Sequence, residues 1–295
     1  MTSMSGHHAH DLDWDAMVGF AELEAEALFS LVAEATSALA DLADRQGLEV
    51  RRVVDVGSGP GVATCSLAER FPSATVVAAD GSSEMLASVA ARATRVGVSD
   101  RVTTHLMQLP DGLDSLGPAD LVWASMVLHH VGDEAAALRG LRGRLEPGGL
   151  LALVEFGDPL RVVPEDVDFE RPGLWERLDA AGAAWLADMR AGLPGAAASS
   201  DYPTMLGAAG FELLVDRPLR VQLGPPLDDR ARRVAFGHLQ LIREHAAPYA
   251  EAADLQALDV LTDEAHAEGI LQRGDARLHA SRRLLVARAI PGPAS

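Results

Sequence analysis

Val53-Val54-Asp55-Val56-Gly57-Ser58-Gly59-Pro60-Gly61, with an acid further on at Asp80, decides how this chain folds. An apolar run that contains one acid and then breaks into glycines on alternate positions reads as a buried strand that stops and a backbone that turns tightly. Glycine is needed where φ is positive, or where a ligand must approach the main chain with no Cβ in the way. Asp80 closes the next apolar run and is well placed to take two hydrogen bonds from a ribose diol. The unit suits a nucleoside-containing cofactor.

Spacing narrows the choice of cofactor. A dinucleotide fingerprint is G-x-G-x-x-G, with the pyrophosphate on a helix N-terminus. Gly57, Gly59 and Gly61 give G-x-G-x-G instead, and Asp55 stands two residues before them. A carboxylate there repels a pyrophosphate and suits an ammonium or sulfonium group. Asp55-Val56-Gly57-Ser58-Gly59-Pro60-Gly61 resembles motif I of the class I S-adenosylmethionine (SAM) methyltransferases. The resemblance continues through Val76-Val77-Ala78-Ala79-Asp80-Gly81-Ser82-Ser83-Glu84-Met85-Leu86, and then through Ala119-Asp120-Leu121-Val122-Trp123-Ala124-Ser125-Met126-Val127-Leu128-His129-His130-Val131. It ends with Leu145-Glu146-Pro147-Gly148-Gly149-Leu150-Leu151-Ala152-Leu153-Val154-Glu155. The order and intervals of these motifs carry far more weight than a lone glycine triplet.

Composition sets the outer bounds. The 295 residues are 48% hydrophobic, enough for one large domain with insertions. A net charge of −18 repels phosphate backbones and argues against nucleic acid as a partner. The single cysteine, Cys65, excludes an internal disulfide and a multi-cysteine metal site, which points to a reducing cytoplasm. No apolar stretch is long enough to span a membrane, and the N-terminus has no signal-peptide pattern. The chain contains no lysine. That excludes Schiff-base chemistry and a Walker-type phosphate loop.

Strand and helix patterns alternate along the first half. Strands are expected at 53–56, 75–79, 102–107, 121–124 and 150–156, with helices at 62–70, 83–96 and 134–145. Such alternation implies a parallel sheet with helices on both faces and a ligand at the strand carboxyl ends. The expected fold is α/β: a doubly wound, mostly parallel, Rossmann-like sheet. The resemblance implies seven strands, six parallel and one antiparallel, with helical lid insertions. Residues 1–46 form an N-terminal helical cap, 47–160 the SAM-binding core and 161–203 a helical or irregular lid. Residues 204–295 complete the core, with a helix at 204–210, strands at 211–215 and 279–289, and an insertion at about 218–277 whose helices split near Pro248.

The resemblance also implies site residues. Asp55 would bond the methionine end of SAM, or serve only as a strand-end turn. Gly57, Ser58, Gly59 and Gly61 would carry the backbone under the ligand. Asp80 and Gly81 would meet the ribose, and Asp80 also suits an N-cap. Met85 would pack on adenine or be plain core. Gln108, beside Leu109, stands where the family usually has an acid facing the adenine amino group, with Asp111 as a substitute. Ala124 and Ser125 would offer backbone groups to the methionine ammonium. His130 and His129 are candidate bases or structural residues, His130 being nearer the cofactor. Glu155, Asp158 and Trp14 are candidates for substrate contact, against turn caps and lid packing. Cys65 reads as inert. His7, His8 and His10 carry no metal assignment, and none is made elsewhere.

The expected activity is methyl transfer from SAM to a small, secondary-metabolite-like acceptor, leaving S-adenosylhomocysteine. The protein would act as a monomer or homodimer. The alternatives are a SAM-fold protein that binds without methylating, as a regulator or cyclase, and an NAD(P)-dependent oxidoreductase.

Overall fold

The computed structural model describes residues 18–164, 171–196 and 201–290. Trp14 and the N-terminal histidines lie outside the described residues. Seven strands form one sheet in the order β3-β2-β1-β4-β5-β7-β6. They are β1 (Arg52–Val56), β2 (Thr75–Asp80), β3 (Val102–Leu106), β4 (Ala119–Ser125), β5 (Leu145–Phe156), β6 (Phe211–Leu223) and β7 (Leu278–Ala289). Strands β1 to β5 pair in parallel, and β7 lies antiparallel between β5 and β6. This is the expected doubly wound sheet.

Both faces of the sheet are buried, so its central strands are almost continuously apolar. Side chains alternate between the faces. Val53, Val76, Leu121, Trp123, Leu150, Ala152 and Val154 face one core. Val54, Val56, Val77, Val122, Ala124, Leu151 and Leu153 face the other. The first core takes α2 (Phe29–Arg45) and α3 (Val62–Arg70), together with α6 (Leu174–Ala191), α8 (Asp229–Ala246) and α9 (Ala252–Leu261). The second takes α5 (Glu134–Arg142) and α7 (Tyr202–Ala208). Helix α4 (Ser83–Val96) begins where the Ser82 hydroxyl accepts the Met85 N–H at 3.2 Å, and it ends on left-handed Gly97. Helix α1 (Val18–Ala27) lies outermost, with none of its own residues buried.

Several expected boundaries move, most of them by one or two residues and a few by more. The helix placed at 134–145 stops at Arg142, because Leu145 already pairs with Ala119. Residues 146–149 then form an irregularity before Leu150 meets Leu121. The strand placed at 211–215 continues to Leu223, opposite Leu278. The excursion within this hairpin therefore covers 224–277 rather than 218–277. Pro218, which looks like a strand stop, is tolerated because β6 is the outermost strand of the sheet.

Candidate active site

The site forms where β1 ends. The Asp55 carboxylate is buried and accepts the Thr64 hydroxyl at 2.5 Å. Burial pushes its carboxyl up to about 7; the Thr64 hydrogen bond opposes the rise and the charge of Asp80 adds to it. Above it the chain turns through Gly57, with φ 66°, and Gly61, with φ 81°. A Cβ on Gly57 would come within 2.5 Å of the Val127 side chain, and one on Gly61 within 2.9 Å of the Val89 backbone. Packing therefore enforces glycine at both. Gly59 differs: nothing lies within 4 Å of where its Cβ would be. Its bare backbone faces open space, as a ligand cradle requires.

Asp80 locks this loop to β2. Its Oδ2 accepts the Gly59 N–H and its Oδ1 the Ser82 N–H, each at 2.9 Å. Gln108 leans over the next residue, its amide donating to the Gly81 carbonyl at 3.4 Å. The ribose and adenine candidates thus meet on one side of the loop. Met85 is buried in the first turn of α4. Leu109 packs against the second core.

On the other side of the loop lies a cavity of about 240 Å³. Asp55, Gly57, Ser58, Gly59 and Ser125 line it, as do Trp123, Met126 and Val154. The Ser58 hydroxyl is buried there with no hydrogen-bond partner among the described residues. Such a group is costly unless a ligand or a water satisfies it. Met126 adopts φ 55°, a left-handed conformation rare outside glycine and one that clusters at ligand clamps. Opposite the loop the cavity is closed by Ala21 and Glu24 of α1, Leu28 between the two helices, Leu31 of α2 and Arg282 of β7.

Several expected residues lie elsewhere. The Ala124 side chain points into the second core, one residue out of phase with Trp123 and Ser125, which leaves only its backbone groups for the expected ligand contact. Glu155 was expected at the cleft mouth and is instead buried. Val154 faces the cavity, so the next side chain along the strand leaves by the opposite face. There Glu155 accepts the Leu128 N–H at 2.9 Å and pairs with His129 Nδ1 at 2.8 Å. Neither His129 nor His130 lines the cavity. Burial, with a smaller push from His129, drives the His130 imidazole down to about 3, far too weak for a base near neutral pH. Asp158 is exposed, 3.5 Å from Arg220 beside a separate surface recess. Burial pushes the Cys65 thiol up to about 11, which keeps it protonated and inert.

Glu24, Trp123 and Arg282 were not singled out from the sequence. Trp123 carried a signal: it stands opposite Asp55 in the β1–β4 register, so both side chains leave the sheet on one face. Glu24 and Arg282 carried none, since their elements lie outside the glycine-loop unit.

Comparison with known proteins agrees with this geometry. A family model described as a methyltransferase domain matches residues 54–151. The trans-aconitate 2-methyltransferase of Methylobacterium nodulans is 32% identical over 203 residues, covering 67% of this chain and 69% of that protein. The chain belongs to the class I SAM-dependent methyltransferase family. A second relative, the trans-aconitate 2-methyltransferase of Azoarcus sp. strain BH72, is 35% identical over 57% of this chain and 61% of its own length. The chain spans 44% of the corresponding enzyme of Methylobacterium radiotolerans. In fold it is similar to a candidate methyltransferase from Bacillus halodurans C-125, with a TM-score of 0.51 at 19% identity over 86% of this chain and all of that one. The family uses SAM, and the site's own features fit that group. A buried acid sits under the loop, an unsatisfied hydroxyl lines the cavity, and Gly59, alone among the three loop glycines, has open space beside it.

Proposed function

We propose that this chain methylates a small-molecule acceptor with SAM and releases S-adenosylhomocysteine. The observation that carries this reading is the buried Asp55 beneath a glycine loop whose Ser58 hydroxyl lacks a partner among the described residues, beside an apolar cavity. Asp55, Ser58 and the loop N–H groups would hold the methionine end, Asp80 the ribose and Gln108 the adenine amino group. When bound, the cofactor supplies a methyl group already activated by its sulfonium. What remains for the protein is alignment and exclusion of water, and alignment alone can contribute about 7–11 kcal/mol. We assign no base role to His129 or His130, since neither lines the cavity and burial drives the His130 imidazole down to about 3. The net charge of −18 supports a metabolite over a nucleic acid as acceptor. The lone buried thiol supports the cytoplasm as the compartment.

Asp80→Ala tests the reading. It removes the ribose partner and also the tie to Gly59 and Ser82. Hydrogen bonds to a charged group are worth about 1.5–3 kcal/mol each, so S-adenosylhomocysteine affinity by calorimetry should fall roughly 100-fold. Unchanged affinity would overturn the assignment of the cofactor pocket. Metabolite extracts incubated with wild type and deuteromethyl-labelled SAM should yield a product heavier by the label. Binding with no labelled product would favour a protein that holds the cofactor without transferring from it.

A further inference from the structure

The cavity extends beyond the residues that would hold the cofactor. Its outer wall is aliphatic, built from Ala21, Ala25, Leu28, Leu31 and Val32. Two charged side chains interrupt that wall, Glu24 from the first helix and Arg282 from the last strand. Glu24 Oε1 accepts from His238 Nε2 at 3.0 Å and lies 3.4 Å from Arg282 Nη2. Its Oε2 has no hydrogen bond among the described residues. Partial removal from water pushes this carboxyl up, but the His238 hydrogen bond and the charges of His238 and Arg282 outweigh it, so the group stays below the usual carboxylate range. A second polar group lies on the same cavity: the Trp123 indole N–H is buried with no partner among the described residues. An ionised acid with an open oxygen and an unsatisfied donor, set in an aliphatic wall, make a polar anchor for a ligand that is otherwise apolar.

We propose that Glu24 sets acceptor specificity: its open oxygen receives the hydroxyl or amine of a mainly apolar small molecule, and its charge turns carboxylates away. This rests on the cofactor reading above, which assigns the other end of the same cavity to SAM. Arg282 is the sole cation lining the cavity among the described residues, and Glu24 already balances it. A tricarboxylate such as trans-aconitate, for which the relatives are named, would bring its charges against Glu24 and Asp55 with no spare cation to meet them. The site therefore departs from the acceptor in those names.

The test uses the full chain, with and without saturating S-adenosylhomocysteine, and four probes: n-octylamine, n-octanol, n-octanoate and trans-aconitate. Calorimetry should show the amine or the alcohol binding at least about tenfold more tightly than octanoate, as expected for one hydrogen bond to a charged group. Trans-aconitate should not bind. A preference for the amine over the alcohol assigns a cationic head, and the reverse a neutral one; either supports the proposal. Glu24→Gln should erase the tenfold gap while leaving S-adenosylhomocysteine affinity unchanged. Octanoate or trans-aconitate binding wild type as tightly as the amine and alcohol overturns the proposal. So does a gap that survives in Glu24→Gln, or no measurable binding of amine or alcohol. Should Glu24→Gln fail to fold, the wild-type ranking still decides. Failure of wild type to bind S-adenosylhomocysteine sinks the cofactor reading instead, and the ranking measured without it still judges Glu24.

Discussion

Asp55 shows how a single buried group can tie stability to pH. Its folded-state value of about 7 lies above the ordinary 3.8, so the fold favours the protonated acid. The resulting contribution to folding is fully present below about pH 4 and is lost as pH rises through 7. Asp55→Asn keeps the size and a partner for Thr64 but removes the charge. We expect the unliganded variant to exceed wild type in urea-unfolding stability at pH 8 by on the order of 1–3 kcal/mol, with the gap closing toward pH 4. A gap that does not change with pH would mean that the carboxylate is better solvated than its burial indicates. The same carboxyl is the one the cofactor's cation would meet, so the penalty suits a site that becomes stable when filled.

Among the elements, α6 is held by charge as well as by packing. Arg190 near its C-terminal end donates to Glu134 of α5 at 2.8 Å and to the His129 carbonyl at 3.1 Å, and the Tyr202 hydroxyl donates to Glu134 at 2.9 Å. Arg190 and Glu134 are both buried. Arg190→Met would leave the Glu134 charge inside without its guanidinium, which costs about 3–5 kcal/mol in comparable pairs. Urea denaturation should show a loss of that order, and replacing both partners by apolar residues should recover part of it. Strands β1, β2 and β4 were legible in the sequence because both their faces are buried, which makes them nearly continuous apolar runs, whereas β3 at the sheet edge is mostly exposed. The end of β6 was not, because its outer positions carry Asp216, Arg217 and Arg220, and the proline between them resembles a terminator. Glu155 was misplaced for a different reason. Its position at the strand end was readable, but the face it takes depends on register with β4, which one strand read by itself does not reveal.

In the molecule as a whole, α1 is fastened by polar ties to distant parts of the chain. Glu24 reaches His238 and Arg282, while Glu26 pairs with Arg92 at 2.8 Å and with Arg230 at 3.4 Å. Phe20 adds an edge-on contact with the His238 ring. Several of these pairs are partly exposed and so are open to screening, whereas the apolar packing of α2 is not. Raising salt from about 50 mM to about 1 M should speed amide hydrogen exchange in residues 18–27 severalfold and leave β1, β4 and β5 unaffected. Equal protection at both salt concentrations would assign the attachment of α1 to packing instead. The glycine-loop half of the candidate site could be read locally, since one loop and one acid define it. The half proposed to take the acceptor could not, because its residues come together only through topology. Residue 24 and residue 282 stand side by side over the hollow. A nascent polypeptide can therefore possess the glycine loop well before residue 282 has been added, and the wall proposed to meet the acceptor stays open until then.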